Sequence, residues 1–226
     1  AEPRNGTIAS IEKKKETKNP PLLYNLAELQ NDCSRMFKIS PDQTLKAVQE
    51  LYEKKLVTYP RTDARVLSTA VAKEIHKNIG GLQNFGPAAE YAREVLASGS
   101  YKTIAKTRYV NDKQITDHYA IVPTGQGLGA LRSLSELNSK IYQVIVRRFL
   151  SIFYPPAIYQ KYTVDIVTQN EHFFAGFKVL REQGYLKVAE VPGQGRKKNT
   201  GAPDAGSDGN VLPAEKPGAA GDVILD

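Results

Sequence analysis

The 226-residue chain is 41% hydrophobic and 24% charged, the balance of a globular protein of one or two domains with enough apolar material for a real core. Lys and Arg outnumber Asp and Glu by 31 to 24, so a polyanion is the first partner to consider, although the +7 charge does not require one. A lone cysteine, Cys33, excludes an internal disulfide and a cysteine-cluster zinc site; no apolar run nears membrane-spanning length, and the polar start lacks a signal-peptide core.

In chain order, "GTIASIE" alternates as a short strand, and "KKKETKNPP" reads as a charged, proline-locked connector. A helix follows, with Asn25 and Glu28 as a capping box and Leu26, Leu29, Cys33 and Phe37 along its apolar stripe. Ser40-Pro41 caps a second helix whose buried stripe is Leu45, Val48, Leu51 and Tyr52 and which ends near Leu56. A third is expected from Ser68 to about Ile79, stopped by Gly80-Gly81, and a fourth over roughly 88–97. The longest, "SELNSKIYQVIVRRFLSIFY", ends at Pro155-Pro156. From Ala157 the period changes to two. Tyr162, Val164 and Ile166 lead through a polar turn at 169–171 to Phe173, Ala175, Phe177 and Val179, a hairpin, and "YLKVAEV" is expected to add a third strand. Residues 192–221 are Gly, Pro, Ala, Asp and Lys with little apolar content and read as a solvated linker. The expected class is α+β: a helical unit inserted between strands from both chain ends.

The chemistry concentrates in "TYPRTDAR", residues 58–65. Proline pushes the residue before it out of the α region, so Tyr59 is expected to be extended. An extended run places Tyr59, Arg61 and Asp63 on one face and Thr58 and Thr62 on the other. A free phenol, with pKa about 10, is ionised to only roughly one part in a thousand at pH 7 and needs a nearby cation or base to become a nucleophile. Arg61 supplies a fixed charge and a planar fork that can grip a phosphate oxygen. Taken singly, Tyr59 is one of 12 tyrosines and reads as packing, and Arg61 with Asp63 reads as a surface ion pair.

The whole string decides otherwise. Tyr-Pro-Arg-Thr-Asp resembles the active-site signature of type IA DNA topoisomerases, and such a match arises by chance on the order of once in ten thousand chains of this length. "DHYAIVPTG", residues 117–125, resembles that family's His-x-Ala-Ile-x-Pro segment, and the wording over residues 20–190 is closest to bacterial topoisomerase III. The resemblance implies cleavage of one DNA strand through a tyrosine joined to the 5′ phosphate, passage of another strand, and resealing without ATP. It implies Tyr59 as nucleophile, Arg61 on the scissile phosphate and His118 assisting, with Thr62, Asp63 and Arg65 as further nucleic-acid contacts. Ala64 stands where the family usually has Ser.

The family's acidic magnesium centre uses a glutamate and an Asp-x-Asp motif in a separate N-terminal domain, and no Asp-x-Asp occurs here. The resemblance therefore implies the tyrosine-bearing middle of a larger enzyme. Its divisions are a strand and connector of a β-rich arch domain (1–22), a helical tyrosine-bearing domain (23–153), an antiparallel arch segment (154–191), and a linker with the start of a further strand (192–226). Mg2+ is expected on the N-terminal domain and no metal on these residues. The expected partners are single-stranded DNA and that domain, with no membrane; the expected setting is the bacterial cytoplasm, at the nucleoid. A tyrosine recombinase would place its tyrosine near the C-terminus, and a relaxase would need a histidine cluster that three histidines do not supply. The remaining alternative is a noncatalytic single-strand-binding module in which Tyr59 stacks a base.

Overall fold

The computed structural model describes residues 6–168 and 171–189 and the backbone of 211–212. These fall into two compact units: residues 6–18, 157–168, 171–183 and 211–212 form a sheet, and residues 19–156 and 184–189 a helical body. The class is α+β.

In the sheet, β1 (Thr7–Lys18) pairs antiparallel with β2 (Ala157–Thr168), and β2 with β3 (Glu171–Glu182). The alternation of the hairpin sets its register. Ile166 lies opposite Phe173, Val164 opposite Ala175, and Tyr162 opposite Phe177, whose rings stack at 4.9 Å. β1 runs through "KKKETK", which the sequence marks as a connector. Ladder hydrogen bonds need no apolar side chain, and exposed charges suit an edge strand. Glu16 accepts a hydrogen bond from Lys178 at 2.8 Å, and the Lys13 ammonium lies 5.8 Å from the Tyr162 ring centroid. An irregularity between Ile8 and Ser10 keeps Ile8 beside Ile166 while Ile11 meets Val164.

The third strand expected at "YLKVAEV" is instead a single helical turn, α6 (Leu186–Ala189), within the helical body. Burial explains the difference. Tyr185 and Val188 are buried, and Arg147 donates to the Val188 carbonyl at 3.0 Å, so these residues serve a helix-packed core rather than a ladder. The proposed linker at 192–221 lies outside the described residues except for β4 (Val211–Leu212), which pairs in parallel with Lys178 and Val179 of β3.

The helical body forms around the predicted stripes. Asn25 caps α1 (Leu26–Phe37) by accepting from the Glu28 amide at 2.9 Å, but the Glu28 carboxylate turns to Arg65 instead of closing the expected box. Cys33 is fully buried there, and burial pushes its thiol up to about 12, which leaves it an inert core group. Ser40 and Gln43 form a complete capping box on α2 (Pro41–Glu53), whose Val48 and Leu51 are fully buried. Tyr52 leaves the expected stripe, being 43% exposed. α5 (Glu136–Ser151), capped by Ser135, buries Ile141, Tyr142, Ile145, Val146, Phe149 and Leu150. Its Arg148 donates to Asp32 at 2.8 Å and to the Leu22 carbonyl at 3.1 Å, with its guanidinium 4.1 Å from the Tyr24 ring centroid. The chain before α1 is thereby fixed to α5.

Between α2 and α5 lie α3 (Thr69–Leu82) and α4 (Ala89–Ser98). α3 continues through Gly80-Gly81, where the sequence marks a stop, because Gly81 is needed for a close approach. A Cβ there would fall against the Gly125 backbone, whereas one at Gly80 would meet nothing within 4 Å. Asn78 one turn earlier donates to the Pro123 carbonyl at 2.9 Å, so α3 grips the 118–125 segment at two points.

Helix propensity alone favours alanine over glycine by about 0.8–1 kcal/mol at both positions. Gly80→Ala is expected to stabilise by roughly that amount, and Gly81→Ala to destabilise by at least about 2 kcal/mol through the backbone clash. Urea unfolding of the two variants checks the opposite signs.

Candidate active site

Tyr59 lies in the irregular chain between α2 and α3, which runs beside residues 118–124 as though the two were strands. Val57 and Pro123 bridge antiparallel, Thr58 donates its amide to the Val122 carbonyl at 3.0 Å, and Ala120 donates to Val66 at 3.1 Å. Threonine side chains complete the lacing. Thr58 Oγ1 donates to the Ala120 carbonyl and accepts from the Val122 amide, both at 2.9 Å. Thr62 Oγ1 donates to the His118 carbonyl at 2.8 Å and accepts from the Ala64 amide at 3.1 Å. On the other side, Leu26 donates to the Thr62 carbonyl and Asn25 Nδ2 to the Asp63 carbonyl.

Exposure alternates as an extended run requires: Pro60, Thr62 and Ala64 are buried, Arg61 and Asp63 exposed, and Tyr59 half-buried. His118 meets Tyr59 across 59 positions of sequence, with ring centroids 4.3 Å apart and planes tilted by 40°. Arg61, two residues from Tyr59, has no carboxylate partner among the described residues, so its guanidinium is available to an incoming anion. Thr62 is committed to holding His118. Arg65 is likewise engaged, donating from Nε to the Leu23 carbonyl at 3.2 Å and pairing with Glu28 at 3.3 Å. Asp63 exposes its carboxylate while its backbone is held by Asn25. Tyr59, Arg61, Asp63 and His118 are thus the members of the expected set that reach solvent without a side-chain hydrogen bond among the described residues, and Thr62 and Arg65 also make internal bonds.

Tyr59 and His118 open onto a cavity of about 580 Å³ whose lining includes Tyr52, Glu53, Lys55, Tyr119, Thr124 and Gln126. Lys55 adopts a left-handed backbone, φ 63°, and its carbonyl accepts from Thr124 Oγ1 at 2.5 Å, which turns the chain out of α2 toward the site. Periodicity conceals Tyr52, because it falls on the stripe; its one signal is a position at the last turn of the helix. Burial pushes the Tyr119 phenol above its ordinary range. No group of three or more His, Cys, Asp or Glu side chains among the described residues could hold a metal ion.

A tyrosine and a histidine thus meet on the lining of an open cavity, with an exposed arginine two residues from the tyrosine in sequence. The family model described as DNA topoisomerase matches residues 1–217, and the chain belongs to that family. It is similar to DNA topoisomerase 3 of Bacillus licheniformis, 38% identical over 182 residues, which are 80% of this chain and 24% of the relative. The Bacillus subtilis DNA topoisomerase 3 is 36% identical over 191 residues, 83% of this chain and 25% of the relative. The chain thus spans about a quarter of the length of these relatives. Full-length topoisomerase I from Thermotoga maritima shares the fold, with a TM-score of 0.58 and 21% identity over 92% of this chain and 32% of its own.

Thr62→Val keeps the shape but leaves the buried Ala64 amide and the His118 carbonyl without this partner. Urea unfolding is expected to show a loss of about 2 kcal/mol. A change under about 0.5 kcal/mol would mean that the hydroxyl does not hold the two segments together.

Proposed function

We propose that the chain is the tyrosine-bearing part of a type IA DNA topoisomerase of the topoisomerase III kind, and that Tyr59 is the nucleophile that opens one DNA strand. The observation that carries this reading is the meeting of Tyr59 with His118 on the lining of the cavity, with the exposed Arg61 two residues from Tyr59 in sequence.

Tyr59 Oη attacks the phosphorus of a phosphodiester as its proton leaves. An O–P bond forms to the 5′ phosphate, the bond to the 3′ oxygen breaks, and that oxygen departs with a proton as a 3′ hydroxyl. Because one ester replaces another, the reverse attack by the hydroxyl reseals the strand without ATP. Arg61 offers two parallel N–H donors to the non-bridging oxygens, where charge gathers in the transition state. His118 lies against the tyrosine ring and contributes a second polar contact to the same phosphate. Between cleavage and resealing another strand passes through the gap.

Magnesium, when present, neutralises phosphate charge and orients the strand. The residues described here do not fit it, and no step above runs through it. We assign it to an acidic centre in another domain of the same enzyme. That assignment makes the isolated chain a binder of single-stranded DNA with little or no cleavage activity, working in the bacterial cytoplasm at the nucleoid. No helix among the described residues is long and apolar enough to cross a membrane. The noncatalytic reading, in which Tyr59 stacks a base, predicts no covalent bond.

The test mixes the topoisomerase containing this chain with labelled single-stranded DNA and magnesium, then denatures it. Tyr59→Phe is expected to abolish the denaturation-resistant adduct while leaving DNA affinity largely intact. Arg61→Lys keeps the charge and loses the two-pronged contact, so cleavage is expected to slow about a hundredfold, equivalent to roughly 3 kcal/mol. Adduct persisting in the Phe variant would refute the assignment of Tyr59.

A further inference from the structure

Part of the cavity wall has no task in strand cleavage. Tyr52, at the last turn of α2, is the exception to its helix: Leu51 and Leu56 on either side are fully buried, yet Tyr52 keeps 43% of its surface in solvent. A large aromatic ring left exposed inside a concave site is an informative departure from ordinary packing. Its ring and that of Tyr59 have centroids 5.5 Å apart and planes at 82°, so they form two walls meeting at nearly a right angle. Around them stand the exposed side chains of Glu53, Lys55 and Gln126.

We propose that Tyr52 is the stacking platform of a single-nucleotide subsite, which receives the base of the nucleotide whose phosphate meets Tyr59. This proposal rests on the reading of single-stranded DNA as the substrate. A base in a duplex has both faces covered by its neighbours, so only an unpaired base can lie on the Tyr52 ring. The 5.5 Å between the rings is short enough for one nucleotide to present its phosphate to Tyr59 and its base to Tyr52. Glu53 and Gln126 offer an acceptor and an amide to the base edge, and Lys55 offers its charge to the neighbouring phosphate. Stacking accepts every base, so the subsite selects for an unpaired strand more than for a sequence.

The test titrates the 226-residue chain with a fluorescein-labelled twelve-nucleotide oligothymidylate and with an abasic strand of equal length, which keeps the phosphates and lacks the bases. Tyr52→Ala and Tyr52→Leu are expected to weaken binding of the oligothymidylate by roughly tenfold or more, and Tyr52→Phe to bind like the parent. Neither loss should appear with the abasic strand, because no base is there to stack. The leucine variant keeps apolar bulk, so a failure of the alanine variant to fold does not obscure the result. Unchanged affinity, or an equal loss on both strands, would overturn the subsite while leaving the single-strand reading intact. Failure of the parent chain to bind either strand would overturn the single-strand reading, and the subsite with it.

Discussion

Two threonine hydroxyls hold together the segments that carry Tyr59 and His118: Thr58 donates to Ala120 and accepts from Val122, and Thr62 donates to the His118 carbonyl while accepting from Ala64 in its own segment. Each such bond contributes only about 1 kcal/mol net. Their larger effect is on register. With side chains alternating along an extended run, a slip of one residue would bury Tyr59 and expose Thr58 and Thr62. Pro60 between them carries no amide, so the turn inward leaves no donor there to satisfy. Outer supports act on the same pair of segments: the Gly81–Gly125 approach and Asn78 from α3, and, at the start of α1, Asn25 and the Leu23 carbonyl that accepts from Arg65. The Tyr24–Asp32–Arg148 cluster then ties that start to α5.

Several of the other phenols are closed off by burial. Tyr24 and Tyr142 are pushed well up by burial, and so is Tyr154, which also donates to Glu94. Such groups resist ionisation because the low-dielectric interior penalises the phenolate. Tyr59 is half-buried on the lining of the open cavity, two residues from an arginine that has no carboxylate partner among the described residues. The Tyr59 segment is held by hydrogen bonds on its inner side and faces the open cavity on its outer side.

Much of this was legible in the sequence where one local rule dominates. Ser40-Pro41 and Asn25 mark helix starts because a side-chain oxygen can satisfy an orphan amide, and the hairpin follows from a period of two. The alternation of the tyrosine string follows from the proline. The differences arose where tertiary contacts override local preference. Gly81 stays helical to admit Gly125, "KKKETK" forms a strand because its backbone finds β2, and "YLKVAEV" coils to bury Tyr185 and Val188. Tyr52 lies on the apolar stripe by count, but the chain leaves α2 there and uncovers it. Thr62 and Arg65 read as DNA contacts from their place in the string, and the fold adds the internal bonds that they also make.

The central claim is that one phenol among twelve forms the bond to DNA. The most direct measurement isolates the protein–DNA adduct of the topoisomerase containing this chain, digests it with nuclease and trypsin, and locates the attached nucleotide by tandem mass spectrometry. Trypsin cuts after Lys55 and Arg61, so the expected result is a modified peptide covering residues 56–61, with the nucleotide on Tyr59 through its 5′ phosphate. A nucleotide found on Tyr52, Tyr119 or any other residue would contradict the account.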